Sequence, residues 1–229
     1  MTPIEYTVIR SARRRTAAIK INHGVTEVRV PTWVSDGWVR DWVESRRSWI
    51  EKNQQRLQDE LSSSCLKIEQ GGVLPYRGGL LYVFWKIGGR AEVNKQGEQL
   101  LITLSPRSKK SELEQVKGLL QRWYKNAAEV YLQERVVLWS DVMGLYPNSM
   151  KIKGYRRRWG SCSSARDISF NWRLVFADEA LVDYVVIHEL AHIKHMNHSA
   201  DFWAVVQEYS PQFKSLKKEL HSKSGWLIW

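Results

Sequence analysis

Two histidines four residues apart with a glutamate beside the first, His188-Glu189-Leu190-Ala191-His192, followed by a third at His198, constrain this chain more than any other feature. Positions i and i+4 share one face of an α-helix, because the turn repeats about every 3.6 residues. Both imidazoles can therefore reach one divalent cation. Glu189 is then placed to take a proton from water at that cation. From this composition the pentapeptide alone arises by accident in about one chain in a hundred. His198, ten positions after His188, makes accident a poor explanation. For His198 to arrive, the helix must end soon after His192. His195-Met196-Asn197 supplies that break, since Asn tolerates a left-handed turn. His195 also falls on the metal-facing side, but three ligands strung along one straight helix cannot converge on a tetrahedral ion. It reads as a pocket-lining group or a surface histidine.

The expected ligands are thus His188, His192 and His198, the expected ion Zn²⁺, and the expected general base Glu189. Zinc brings the pKa of a coordinated water toward ~7, so a carboxylate can deprotonate it at neutral pH. Negative charge developing on an attacked carbonyl wants a second electrophile. Tyr155, Arg158 and His195 are the candidates, and the sequence does not choose among them. Phe202 and Trp203, apolar at helical spacing after His198, are expected to pack beneath the site. Asp201 reads as a surface acid and Cys162 as a buried structural thiol.

Ile4–Arg10, Thr16–Ile21 and Val25–Val30 read as strands, with Asn22-His23-Gly24 as a hairpin turn. One helix is expected from about Ser35 to Leu61, with Val39, Val43 and Ile50 on its stripe. Leu80–Ile87 and Gln99–Leu104 read as further strands. Pro106 marks a change of style. A capping box, Ser111-x-x-Glu114, opens a helix that carries Leu113, Val116, Leu120, Trp123, Ala127, Val130 and Tyr131 on one face and ends near Met143-Gly144. Ser149–Tyr155 and Ile168–Asn171 read as strands around a basic loop. Asp178 caps the histidine helix, Ser199 the next, and Pro211 introduces the last. The class is α+β: a β-rich region with one long helix over residues 1–106, then a second domain over 107–229.

The net charge of +11 is unevenly spread: residues 146–173 carry seven Lys and Arg against Asp167, a net +6. A second basic cluster occupies residues 10–15. Such patches attract polyanions by long-range Coulomb forces, so segments 10–15 and 151–166 are candidate nucleic-acid contacts, a solvated basic surface being the plainer reading. Two cysteines, Cys65 and Cys162, make no disulfide framework and fit a reducing compartment. No run of about 18 apolar residues suggests a membrane span, and the first fifteen residues lack a signal-peptide core. The cytoplasm is the expected location.

The combination Arg158-Trp159-Gly160-Ser161-Cys162-Ser163, Ile168-Ser169-Phe170-Asn171-Trp172-Arg173-Leu174, Asp183-Tyr184-Val185-Val186-Ile187-His188-Glu189-Leu190-Ala191-His192 and Asn197-His198-Ser199 with Phe202-Trp203 closely resembles the YgjP-like metal-dependent hydrolases of bacteria. These are relatives of the SprT-like and WLM zinc peptidases in the zincin group. The resemblance implies a zincin-like core of small sheet, long helix and metal-binding helix. It also implies His188, His192 and His198 as ligands with Glu189 catalytic. The SprT-like and WLM relatives cleave proteins crosslinked to DNA, which makes the basic segment 151–166 relevant by analogy. Metzincins share the His188-to-His198 spacing, but His195 stands where they have glycine. A gluzincin would use a glutamate such as Glu208 or Glu219, which His198 makes unnecessary.

The leading expectation is a zinc-dependent peptidase whose polypeptide substrate lies extended against an edge strand of the 150–171 region. The alternatives are a nucleic-acid-associated protein with structural zinc, with Trp159 and Trp172 available for base stacking, a protease recruited by DNA, or an amidohydrolase acting on a non-peptide bond.

Overall fold

A computed structural model describes residues 4–22, 25–64 and 66–228. His23, Gly24 and Cys65, which figure in the expected turn and cysteine count, lie outside the described residues. The chain divides into two compact units between Ser64 and Cys65.

In the first unit, β1 (Tyr6–Ser11) runs parallel to β3 (Val25–Pro31), which pairs antiparallel with β2 (Ala18–Asn22). Where one helix was expected there are two, α1 (Asp36–Ser45) and α2 (Arg47–Ser64), broken at Arg46. Ser45 supplies a reason: its hydroxyl donates back to the Trp42 carbonyl at 2.7 Å, a local bond that competes with the helical ladder. Val39, Val43 and Ile50 are buried with Val28 and Val30, as the stripe predicted.

The second unit holds His188, Glu189, His192 and His198. Its first sheet has the order β4 (Val73–Tyr76), β5 (Gly79–Ile87), β7 (Gln99–Leu104), β6 (Glu92–Gln96). Leu100, Ile102 and Leu104 of β7 share one core with Val116 and Leu120 of α3 (Glu112–Met143). The Tyr124 hydroxyl of that helix donates to the Pro75 carbonyl at 3.0 Å. This shared core explains why the compact units divide at 64/65 and not at 106/107. The composition changes at Pro106, but the packing does not.

Ser111 and Glu114 form the expected capping box, and Gly144 ends α3 in a left-handed conformation. The buried face differs from the one read from the sequence. Beyond Val116 and Leu120 it follows Tyr124, Ala128, Leu132 and Val136 in steps of four, leaving Leu113 and Val130 exposed. A second sheet, ordered β8 (Ser149–Lys153), β10 (Asp167–Asn171), β9 (Gly160–Cys162), follows the long helix. A 3₁₀ turn (Trp172–Phe176) leads into α4 (Glu179–Lys194), then α5 (Ala200–Tyr209) and α6 (Phe213–Ser222).

Helix α4 is buried on nearly every side: Leu181, Val182, Tyr184, Val185, Val186, Ile187, Leu190 and Ala191 all lie inside. Such a helix belongs in the interior, and its polar groups need a purpose. Three contacts set its position. Asp178 accepts from the Leu181 amide at 2.9 Å. Arg135 of α3 grips Asp183 with both arms at 2.6 and 2.5 Å. The β4–β5 hairpin turns at Arg77-Gly78, both with positive φ as a two-residue type I′ loop requires. A Cβ on Gly78 would stand 2.9 Å from the Cβ of Asp178, so the hairpin tip abuts the start of the helix.

Candidate metal centre

His188 and His192 project from the same side of α4, their ring centroids 5.0 Å apart. Helix α4 ends at His195, whose backbone is extended (φ −134). The stop thus comes from His195, and Asn197 does not take the left-handed turn expected of it: among the described residues only Arg77 and Arg166 are non-glycine positions with positive φ. Asn197 instead accepts from the Ser199 amide at 3.3 Å, and Ser199 caps α5. This turn brings His198 back over the helix. Its Nε2 lies 3.2 Å from Nε2 of His188, and the three imidazoles present nitrogens within 4.8 Å of one another.

A tetrahedral zinc with Zn–N near 2.0–2.1 Å holds its nitrogen ligands about 3.3 Å apart. The His188–His198 pair matches that spacing, and the triangle as a whole lies within a small side-chain adjustment of it. Two imidazole lone pairs facing each other at 3.2 Å repel unless a proton or a cation sits between them. Burial, with the neighbouring His192, His198 and Lys217, holds the His188 ring down to about 3, so it stays neutral. Burial also lowers His192. Neutral rings are what a metal requires. His192 Nδ1 faces the His195 carbonyl at 3.0 Å. A carbonyl only accepts, so Nδ1 carries the hydrogen and leaves the Nε2 lone pair for an ion.

Aromatic packing fixes the rings. Phe202 lies 4.5 to 4.9 Å from all three imidazoles, centroid to centroid. Trp203 stacks on His198 at 5.6 Å, and Tyr184 meets the edge of His188 at 6.0 Å. Nδ1 of His188 is buried with no hydrogen-bond partner among the described residues. That ring is held by shape alone.

Glu189 faces the other way round the helix from a free surface: it is 5% exposed. It lines a cleft of about 210 Å³ with His188, Arg158, Trp159, Gly160 and Tyr184. Burial pushes its carboxyl up to about 8, with the Arg158 guanidinium pulling the other way. A divalent cation nearby would favour the ionised form. The backbone of β9 presses directly on it: a Cβ on Gly160 would stand 2.5 Å from Glu189 Oε1 and 2.7 Å from Cγ.

Of the three electrophile candidates, Arg158 lines this cleft. The Tyr155 hydroxyl bonds to Ser161 Oγ at 2.9 Å. Ser161 alternates with Gly160 on β9 and so points to the opposite face of the sheet. His195 meets the site through its backbone carbonyl. Cys162 is half-buried, not fully buried, and burial, with Glu189 and Asp167 nearby, pushes its thiol up to about 11. That favours the protonated thiol over the nucleophilic thiolate.

Sequence reasoning missed Gly160 and Asn171. Asn171, fully buried, donates to the carbonyls of Tyr155 at 2.7 Å and Arg158 at 3.1 Å and accepts from the Arg173 amide at 3.2 Å. It thereby sets the loop that carries Arg158 and Trp159. Tyr184 could have been found, since it stands one turn before His188 on the same face.

The family model described as YgjP-like, metallopeptidase domain, matches residues 15–223. No curated protein matches the chain. Among solved structures, the metallopeptidase zymogen of Pyrococcus abyssi abylysin is 22% identical, the match covering 40% of this chain and 93% of that one with a TM-score of 0.38. The metallopeptidase zymogen of Methanocaldococcus jannaschii jannalysin is 23% identical, with 40% and 95% covered and a TM-score of 0.36. Among the described residues no helix is long and apolar enough to cross a membrane.

Proposed function

This chain belongs to the YgjP-like metallopeptidase family, and from that membership we propose that it is a zinc-dependent peptidase with His188, His192 and His198 as ligands and Glu189 as general base. One observation carries the reading: three imidazole nitrogens within 4.8 Å of one another border a cleft in which a buried carboxylate stands beside the first ligand. Zinc bound there supplies Lewis acidity, bringing the pKa of water toward ~7 and polarising the scissile carbonyl.

The chain's own groups do the rest. Glu189 accepts the proton of the attacking water and returns it to the leaving amine nitrogen. Gly160 keeps that carboxylate against the cleft wall. Arg158, on the same wall, is the group available to meet charge developing on the carbonyl oxygen. Among the described residues β9 pairs with β10 alone, so its outer edge can take an extended substrate backbone as an added strand.

The test compares wild type with Glu189→Gln for metal content and for cleavage of peptides and unfolded proteins. Zinc should be retained by both and cleavage lost in the variant. Equal cleavage by the two proteins would refute the mechanism, and another metal in stoichiometric amount would refute zinc.

A further inference from the structure

Beside the cleft that holds Glu189 lies a second, larger one. Trp159 and Leu220 line both, and the second has a volume of about 620 Å³. Its basic lining is Arg157, Lys214, Lys217, Lys218 and His221, and among the described residues no carboxylate lines it. Its apolar lining is Trp159, Leu220 and Leu227.

The basic groups are not scattered. Lys214, Lys217, Lys218 and His221 stand at i, i+3, i+4 and i+7 of α6, so one helix face turns a cationic stripe toward the cleft. Like charges at these spacings destabilise a helix, and acids at matching positions would relieve them. The acid this helix does carry, Glu219, pairs instead with Lys223 at 3.4 Å. Among the described residues Lys214, Lys217 and Lys218 enter no ion pair. The stripe reaches the metal centre: Lys217 Nζ lies 4.6 Å over the Trp203 ring, which stacks on His198, and the Lys217 charge acts on His188.

We infer that this basic cleft is a substrate subsite for acidic side chains, so that the enzyme cleaves polypeptides bearing glutamate or aspartate beside the scissile bond. The inference rests on the peptidase reading for the word substrate, but not for the site itself. An apolar floor under a cationic rim suits a side chain with a methylene stem and a carboxylate head. Polynucleotide would demand a charged track that follows successive phosphates; here the charge is gathered at one pocket that shares Trp159 and Leu220 with the cleft holding Glu189. Two or three partly exposed charge pairs together give about a tenfold preference for an acidic over an amide side chain.

The probes are fluorescent peptides identical except for Glu or Gln at each position flanking a fixed bond. Their affinity for the zinc-loaded full chain carrying Glu189→Gln is read by anisotropy, and their kcat/KM with wild type by cleavage. Glu on one side of the bond should improve affinity and kcat/KM about tenfold. The advantage should shrink at about 1 M salt, where screening acts within ~3 Å. Lys214→Glu with Lys218→Glu, at exposed positions, should reverse the binding preference in a protein that melts no lower than wild type. Equal affinity for Glu and Gln peptides at every position overturns the inference. So does an oligonucleotide that binds the cleft while acidic peptides gain nothing. Absence of cleavage with the binding preference intact would refute the peptidase reading and leave the acidic-peptide site standing.

Discussion

Gly160→Ala should cripple catalysis while leaving the metal in place. The added methyl carbon would lie 2.5 Å from Glu189 Oε1, 2.7 Å from Cγ and 2.9 Å from Cδ. Ordinary contacts of these kinds begin near 3.4 Å, so the carboxylate must retreat by about half an ångström to an ångström or β9 must back away. A flexible surface glutamate would swing aside at little cost. Glu189 is 5% exposed and walled by Tyr184 and Trp159, so relief means an off-rotamer side chain or a displaced strand, costing about 1–3 kcal/mol as overpacking does. Catalysis should suffer more than stability, because a misplacement of about 1 Å in a reacting group can cost ~10²-fold.

The assay measures zinc content, the melting curve and the kinetics of peptide cleavage for wild type, Gly160→Ala and Ser161→Ala. Ser161 faces away from Glu189, so its variant reports what a generic change in β9 does. Gly160→Ala should keep zinc, lose about 1–3 kcal/mol of stability and lower kcat and kcat/KM together by roughly a hundredfold. Ser161→Ala should lose only its bond to Tyr155, about 1 kcal/mol, with kcat near wild type. A Gly160→Ala enzyme that turns over at the wild-type rate would sink the claim that β9 positions the base.

Other substitutions probe the frame. Phe202→Ala removes the buried ring that touches all three imidazoles and should cost about 3–5 kcal/mol, with a measurably weaker zinc Kd. Zinc at a thousandfold excess over its Kd should raise the stability of the metal-free protein by about 4 kcal/mol, and His198→Ala should lose most of that increment in thermal melts. Asn171→Ala strands the Tyr155 and Arg158 carbonyls, so denaturant titration should show a loss of about 2–4 kcal/mol and kinetics a fall in kcat through the loosened Arg158 loop. Arg135→Ala leaves Asp183 half-stripped against α4; chemical denaturation should register about 2–3 kcal/mol, with zinc affinity little changed.

The clustering of His188, His192 and His198 was legible because it depends on helical period and on one short reversal, both local. So were the caps at Ser111, Asp178 and Ser199, each a hydroxyl or carboxylate ahead of an apolar run. Strands β4 and β6 were missed, and both are edges of their sheet. An edge strand can carry Pro75 and be polar like Glu92–Gln96, so the alternation that betrays inner strands is absent. The face of α3 went astray because a 32-residue helix packs against several partners in turn, and its buried stripe drifts from the simple repeat. Gly160 and Asn171 escaped for a different reason. Each acts across the fold, on a residue or loop that sequence spacing does not relate to it.

Electrostatics joins the metal centre to the basic cleft beside it. Imidazole ligands would contribute no charge to offset a dication, and among the described residues Glu189 is the one carboxylate lining the cleft. Two cations act on these groups: Arg158 on Glu189 and Lys217 on His188. A bound divalent ion would therefore leave this side of the protein strongly positive, in a chain that already carries +11. Hydration can bear that excess in the open cleft, but a substrate displaces water, and the charges then interact at lower dielectric. An acidic side chain restores the balance at that moment and an uncharged one does not. Discrimination should accordingly be greatest for the closed, water-poor arrangement in which the bond is broken, so the glutamate advantage should be at least as large in kcat/KM as in binding.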